Sequence, residues 1–321
     1  MLLIADSGST KTDWRLVPAN RSSGRQTLAG RFCWDSAGDN VVPTGENTVP
    51  DTGVAFVTSG INPFFLARDE IVAVIRRELC SQLETVETPV PASTVERIVF
   101  YGAGIASKDK SDVVIDALCE VFRSVHHVEA HSDLLGAARA LCGHKPGIPC
   151  ILGTGSNSCY YDGRVIIDNV PPCGYILGDE GGGAVLGKKL LSAFLKRDLP
   201  EHLCAALRHE YDLSKDMILQ RVYRQPFPNR FLAQYAKFLG AWQSEAAVRA
   251  ILISCFEEFF DRNVLKYPQC RDVPVRFTGS IATHFAEFLR TVAESRQLTI
   301  DLIVPIPIDA MATYHQTPPC E

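Results

Sequence analysis

Apolar residues in this chain gather into short runs that stop at small, hydroxyl-bearing turns, and the pattern occurs twice. Met1–Ala5 is a continuous apolar run, as expected of a strand buried on both faces. It stops at Asp6-Ser7-Gly8-Ser9-Thr10-Lys11-Thr12, and a second strand resumes over about Asp13–Val17. Gly and hydroxyl residues at the tip predict a tight hairpin. Half a chain later, Pro149-Cys150-Ile151-Leu152 runs into Gly153-Thr154-Gly155-Ser156-Asn157-Ser158, and a further strand region follows over Tyr160–Ile167. Ile4–Ser9 aligns with Ile151–Ser156, which predicts two related lobes.

Between and after these hairpins the pattern alternates. Strands are predicted over Val54–Thr58, Arg97–Tyr101, Pro274–Phe277 and Leu298–Val304, and helices over Arg68–Leu83, Ser111–Val125, Leu134–Cys142, Ala184–Phe194, Ile281–Ser295 and Ile308–His315. Apolar residues at 71, 72, 75, 79 and 83 form one helical stripe. Residues 197–267 read as mostly helical. Alternation of this kind argues for an α/β fold. Residues 18–53 lack periodicity, and so long a loop is unusual in a compact domain. An extra hairpin around Thr27–Trp34 is the one element expected there.

The turns carry candidate chemistry. Successive amides in the first hairpin can form an anion-binding nest. Gly8 allows close backbone approach, Ser9 and Thr10 offer hydroxyls, and Lys11 is a point charge suited to phosphate. Asp6 could hold a magnesium ion through water. An ordinary turn explains the same residues equally well locally. Asn62, in Thr58-Ser59-Gly60-Ile61-Asn62-Pro63, can donate and accept at once, as a sugar hydroxyl requires; read locally, it is a turn residue before proline. Asp133 opens a helix, where an acid caps free amides, and it could also serve as a general base. Asp179, in Gly178-Asp179-Glu180-Gly181, could accept bonds from sugar hydroxyls or simply start a helix. Gly182–Lys188 spells GxxxxGK, but Lys189 stands where Ser or Thr is needed, so it is not a P-loop. His126, His127 and His131 fit no metal-binding spacing and read as solvated or hydrogen-bonded side chains.

Together these stretches form an ordered set: Asp6–Trp14, the Asp133 helix, Gly153-Thr154-Gly155-Ser156-Asn157, and Thr278-Gly279-Ser280 entering a helix. The set resembles the actin, sugar kinase and heat-shock ATPase superfamily, and most closely the N-acetylglucosamine kinase family. Its relatives include the ATPase activators of benzoyl-CoA reductase and 2-hydroxyacyl-CoA dehydratase. The resemblance covers most of the chain. It implies two actin-like (ribonuclease H-like) α/β lobes with a nucleotide cleft between them, divided as 1–132 and 133–321. It also implies ATP and Mg2+, with Asp6, Gly8, Ser9, Thr10, Lys11, Thr154 and Gly155 at the phosphates and Gly279 and Ser280 at the adenosine. Asn62, Ser156, Asn157 and Asp179 would then hold a sugar, and Asp133 would take the proton from its 6-hydroxyl. The competing implication is an ATP-driven activator without a sugar pocket.

A net charge of −5 argues against nucleic acid or an anionic membrane surface as partner. The expected partner is a small-molecule sugar, with the oligomeric state open and a homodimer among the candidates. The N-terminus enters a strand at once and carries no signal-peptide pattern. Eleven cysteines, an odd number in a large chain with no CxxC pair, read as reduced thiols in a cytoplasmic protein.

Overall fold

The computed structural model describes residues 1–8, 10–18, 53–85 and 91–317. The hairpin expected around Thr27–Trp34 and the residue Ser9 lie outside them. The chain forms two units: the described parts of Met1–Ala140 with the residues from Pro307 onward, and Leu141–Ile306.

The first unit is built on a five-stranded sheet: β1 (Leu2–Ser7), β2 (Lys11–Val17), β3 (Val54–Ser59), β4 (Arg97–Gly102) and β5 (His127–Ser132), in the order β3-β2-β1-β4-β5. The hairpin strands β1 and β2 pair antiparallel, as do β2 and β3. Strands β4 and β5 add in parallel on the other side of β1. This is the ribonuclease H-like arrangement. Strand β1 is central, so its alternate residues feed two cores. Leu3 and Ala5 pack with Trp14, Phe100 and the apolar faces of α1 (Arg68–Val74) and α3 (Lys108–Val121). Leu2 and Ile4 pack with Val99, Tyr101 and, from the C-terminal helix Ile308–Gln316, Ile308 and Met311. Each Leu, Ile, Val, Met or Phe side chain so withdrawn from water contributes roughly 1.5–3 kcal/mol.

The predicted helical stripe is buried at all five positions, with Ile71, Ile75 and Leu79 fully so. Its four-residue repeat would drift around a 3.6-residue helix. The helix meets this by passing from α1 through a π-helical segment, Ile75–Cys80, before α2 (Ser81–Thr85). The wider turns keep the stripe on the core. The same segment covers the free edge of β3. Gln82 Nε2 donates to the Val57 carbonyl at 2.8 Å, and Glu78 Oε2 accepts the Ser59 N–H at 2.6 Å. An edge strand covered in this way presents fewer unpaired groups to another chain.

Helix α4 (Asp133–Cys142) follows β5, and the division between units falls inside it, after Ala140. The expected boundary at 132/133 therefore differs from the observed one on two counts: Asp133 sits in the first unit, and the C-terminal helix returns to it. Packing explains both. A Cβ on Gly136 would come within 2.7 Å of both Tyr101 Cγ and Met311 Cε, so α4, β4 and the C-terminal helix are tightly interlocked.

The second unit repeats the strand plan. Strands β6 (Ile148–Leu152) and β7 (Ser156–Ser158) form the hairpin, and a two-stranded ribbon, β8 (Tyr160–Tyr161) and β9 (Ile166–Asp168), follows. Strands β10 (Val275–Thr278) and β11 (Ile300–Val304) add in parallel to β6, giving the order β11-β10-β6-β7. That is the β5-β4-β1-β2 order of the first sheet. Its core brings Leu152 and Phe277 together with Leu190 of α6 (Gly183–Lys196, after the short α5, Gly174–Leu177). The expected helix Ile281–Ser295 is broken at Phe285 into Ser280–His284 and Ala286–Ser295. No helix among the described residues is long and apolar enough to cross a membrane.

Candidate active site

In the first unit, the C-terminal end of β1 carries Asp6, paired in register with Asp13 of β2 and Tyr101 of β4. Burial pushes its carboxyl up to about 7, and the negative charges of Asp133 and Asp13 add to the rise. Lys11 opposes it. Asp133 begins α4 on the same side of the sheet, and burial raises its carboxyl too, against the pull of backbone N–H groups. Two acids thus share one poorly solvated region, where a cation or a proton is favoured.

Asp133 was expected to cap its helix, and here the structure corrects the reading. Ser132 Oγ accepts the Leu135 N–H at 3.3 Å, the bond of an N-cap residue. Asp133 stands one position later, with Oδ1 accepting the adjacent Leu134 N–H at 2.8 Å rather than that of the third helical residue. The helix start is therefore held by Ser132, and the Asp133 carboxylate is not required as the cap.

The hairpin tip is tight. The Gly8 N–H donates to the Lys11 carbonyl at 3.0 Å. A Cβ on Gly8 would meet its nearest neighbour only at 3.7 Å, so no contact among the described residues demands glycine there. Thr10 is exposed. Lys11 is exposed and pairs with Asp13 at 2.8 Å, a surface contact weak enough to exchange for another anion. Asn62 is buried, with Oδ1 accepting the Phe64 N–H at 2.9 Å, as a turn asparagine does. Its side chain lies against Gly104 (φ +83°), where a Cβ would fall 2.1 Å from Asn62 Oδ1. The glycine-rich end of β4 and the Asn62 loop therefore depend on each other's shape.

In the second unit, Gly155, Ser156 and Asp179 come together. Asp179 Oδ1 accepts the Ser156 N–H at 3.2 Å, and a Cβ on Gly155 would fall 2.7 Å from Asp179 Oδ2. Asp179 has φ 55°, a left-handed conformation costly for a residue with a Cβ. Burial raises its carboxyl above the usual range. Thr154 is exposed at the turn, and its carbonyl accepts the Ala184 N–H at 2.8 Å. The Gly153 carbonyl accepts the Gly183 N–H at 2.8 Å. Asn157 Oδ1 accepts from Ser158 N–H and Asn169 Nδ2, at 2.9 and 3.0 Å. Gly279 (φ +110°) packs on the same hairpin: a Cβ there would sit 2.3 Å from the Leu152 carbonyl oxygen. Ser280 follows it, exposed, at the start of its helix.

No family model matches the chain, and no curated protein does. A solved structure does. The proposed N-acetylglucosamine kinase of Porphyromonas gingivalis is 40% identical to this chain, superposes with a TM-score of 0.83, and the match covers 98% of this chain and 99% of the other. The chain belongs to the N-acetylglucosamine kinase-like family. A second proposed N-acetylglucosamine kinase, from Chromobacterium violaceum, is 18% identical with a TM-score of 0.65, over 98% of each chain. MreB 5 of Spiroplasma citri, bound to AMPPNP, is 9% identical with a TM-score of 0.51, covering 98% of this chain and 94% of that one. These two show the shared actin-like fold.

Within this family member, the sequence-predicted residues fall into two groups. Asp6, Gly8, Thr10, Lys11, Asn62 and Asp133 belong to the first unit, and Thr154, Gly155, Ser156, Asn157, Asp179, Gly279 and Ser280 to the second. Sequence reasoning gave no separate role to Ser7 and Thr12, which are fully buried in the first hairpin and bonded to each other at 2.6 Å. It also passed over Glu180, buried beside Asp179, which pairs with Arg262 at 2.5 Å and accepts from Asn263 Nδ2 at 3.3 Å. Hydroxyls at alternate positions flanking the hairpin tip were the available signal for the first pair. For Glu180 there was none, since its partners lie 83 residues away in the case of Asn263. His127 and His131 both bond Glu129, at 2.8 and 3.0 Å, the plain role expected for them.

Proposed function

We propose that the protein is an ATP-dependent sugar kinase that phosphorylates the 6-hydroxyl of N-acetylglucosamine or a closely related amino sugar. The observation that carries this reading is Asp133: a carboxylate not needed as its helix cap, raised in basicity by burial, set beside Asp6 at the end of β1. The near full-length likeness to a proposed N-acetylglucosamine kinase supports the substrate, and favours the kinase over an ATP-driven activator.

In this mechanism Asp133 accepts the proton of the sugar hydroxyl as its oxygen bonds to the γ-phosphorus and the bond to ADP breaks. Such transfer depends on positioning and on stabilising charge. Gly8, Ser9, Thr10, Lys11, Thr154 and Gly155 hold the phosphates, and Gly279 and Ser280 border the adenosine. Asn62, Ser156, Asn157 and Asp179 hold the sugar. Asp6 would hold magnesium. Its carboxyl, crowded by Asp133 and Asp13, gains from a nearby cation. Among the described residues no group of three or more His, Cys, Asp or Glu could hold a metal, so phosphate and water would complete the shell. Bound with the nucleotide, such an ion would supply positive charge against the phosphates.

The direct test is a panel of hexoses and hexosamines with magnesium-ATP, read by ADP release. Release dependent on N-acetylglucosamine supports the reading, and release indifferent to every sugar contradicts it. Magnesium-ATP should also stabilise the protein. At a hundredfold excess over Kd the gain is about 2.7 kcal/mol. Thr10→Val should reduce the shift in a thermal melt, and a melt that ignores saturating magnesium-ATP would remove the nucleotide site.

The sugar residues call for variants that keep the backbone bonds their carbonyl and carboxyl oxygens accept. Asn62→Asp keeps the oxygen that accepts the Phe64 N–H and replaces the amide donor. Asp179→Asn suits the left-handed backbone, since Asn tolerates it. Asp179→Asn should raise KM for the sugar by about tenfold to a hundredfold, the worth of a hydrogen bond to a charged group, and Asn62→Asp by about twofold to tenfold, that of a neutral one; both should leave KM for ATP nearly unchanged. Equal effects on both substrates would misplace these residues.

A further inference from the structure

The buried hydroxyls of the first hairpin reach beyond it. Ser7 Oγ accepts the Ile61 N–H at 3.0 Å and bonds the Ile61 carbonyl at 2.9 Å. Thr12 Oγ1 lies 3.2 Å from both the Ile61 N–H and the Ser59 carbonyl. The Gly60 N–H donates to the Thr10 carbonyl at 3.1 Å. Residues 59–61, which lead into Asn62, are thereby stitched to the hairpin that bears the proposed phosphate contacts. The Ser7 backbone closes the circuit: its carbonyl accepts the Ala103 N–H at 2.8 Å, and the adjoining Gly104 packs on the Asn62 side chain.

Both hydroxyls are inaccessible to solvent, since Ser7 and Thr12 are each 0% exposed. They therefore cannot touch a ligand directly, and the hydrophobic core does not require them. A buried hydroxyl is retained at a cost unless it is bonded, and here both are bonded to a single short loop. Their position gives them one outlet. A shift of the hairpin tip on binding an anion would pass through these bonds to Ile61 and the adjoining Asn62.

We propose that Ser7 and Thr12 form a two-hydroxyl latch that couples the phosphate hairpin to the Asn62 loop, so that nucleotide and sugar each tighten the binding of the other. They are positioning residues, acting through Asn62. This rests on the functional reading above, which assigns phosphate to the hairpin and sugar to the loop. Because binding couplings are reciprocal, the same factor must appear whichever ligand is added first.

The test is calorimetric titration of the full-length protein with N-acetylglucosamine, with and without magnesium-AMPPNP, and the converse titration. In the unaltered protein each ligand should lower the other's Kd by about tenfold, within the usual range of site-to-site coupling. In Ser7→Ala and in Thr12→Val that factor should fall toward one. Thr12→Ser, which keeps the hydroxyl, should retain it. A purely structural role would lower the melting temperature and leave the factor intact, and that result overturns the latch. So does sugar binding in the unaltered protein that is indifferent to nucleotide. If the unaltered protein binds no sugar under any condition, the functional reading fails first and the latch with it. Loss of folding in Ser7→Ala shifts the decision to the Thr12 pair, where equal coupling in Thr12→Val and Thr12→Ser counts against the proposal.

Discussion

Asp133→Asn should lower turnover by about 10²–10⁴-fold, the usual worth of a positioned general base. Asparagine matches the size of aspartate and keeps an oxygen for the Leu134 N–H. It has no basic carboxylate to take a proton. The helix start does not depend on it, because Ser132 supplies the cap. Stability should therefore hold or improve, since burial disfavours the charge that is removed. The same reasoning makes Asp133→Ala informative. It should lose turnover without the roughly 1 kcal/mol that deletion of a cap costs, whereas Ser132→Ala should show that loss. Rate measurements beside thermal melts check all three. Near-normal turnover in Asp133→Asn would remove the base from the mechanism.

Asp6→Asn should stabilise the ligand-free protein above neutral pH and do little in acid. The folded protein holds the Asp6 carboxyl at about 7, against 3.8 for an ordinary aspartate. Between those values the folded state binds the proton more tightly than the unfolded state. Stability must then fall as pH rises through that window, by about 1.4 kcal/mol per unit for this group. The cumulative loss by pH 8 is up to about 4 kcal/mol, and it is absent below pH 4. The substitution abolishes this titration. Urea unfolding of the two proteins at pH 4 and pH 8 measures it: the advantage of Asp6→Asn should be several-fold larger at pH 8. An advantage equal at both values would show that Asp6 is not held protonated by its surroundings. In the functional reading the same variant should lose activity, so a gain in stability and a loss of turnover should appear together.

The parts of this molecule that rest on local pattern were legible in the sequence. The run Met1–Ala5 reads as a doubly buried strand because Leu2 and Ile4 face one core and Leu3 and Ala5 another. The first hairpin and the stripe at 71, 72, 75, 79 and 83 fall where periodicity places them, while the return strand of the second, Ser156–Ser158, begins inside the stretch read as its turn. The parts that rest on distant contacts were not legible. Strand β5 carries only a brief alternation, Val128 and Ala130 between His127, Glu129 and His131, too short to mark a strand by itself; its identity comes from pairing with β4. The return of the C-terminal helix to the first unit depends on Ile308 and Met311 meeting Leu2 and Ile4 from the opposite end of the chain. Asp133 was recognisable as an acid at a helix start, yet which neighbour capped that start turned on a one-residue shift that propensities do not resolve.

The central claim is that the γ-phosphoryl group of ATP goes to a sugar hydroxyl. Phosphorus NMR of a reaction containing the full-length protein, magnesium-ATP and N-acetylglucosamine follows that group directly. The account predicts a phosphomonoester on the 6-oxygen of the sugar, formed in equal amount with ADP and lost in Asp133→Asn. ADP accompanied by inorganic phosphate alone, in the same amount with and without sugar, would contradict it and make the protein an ATPase.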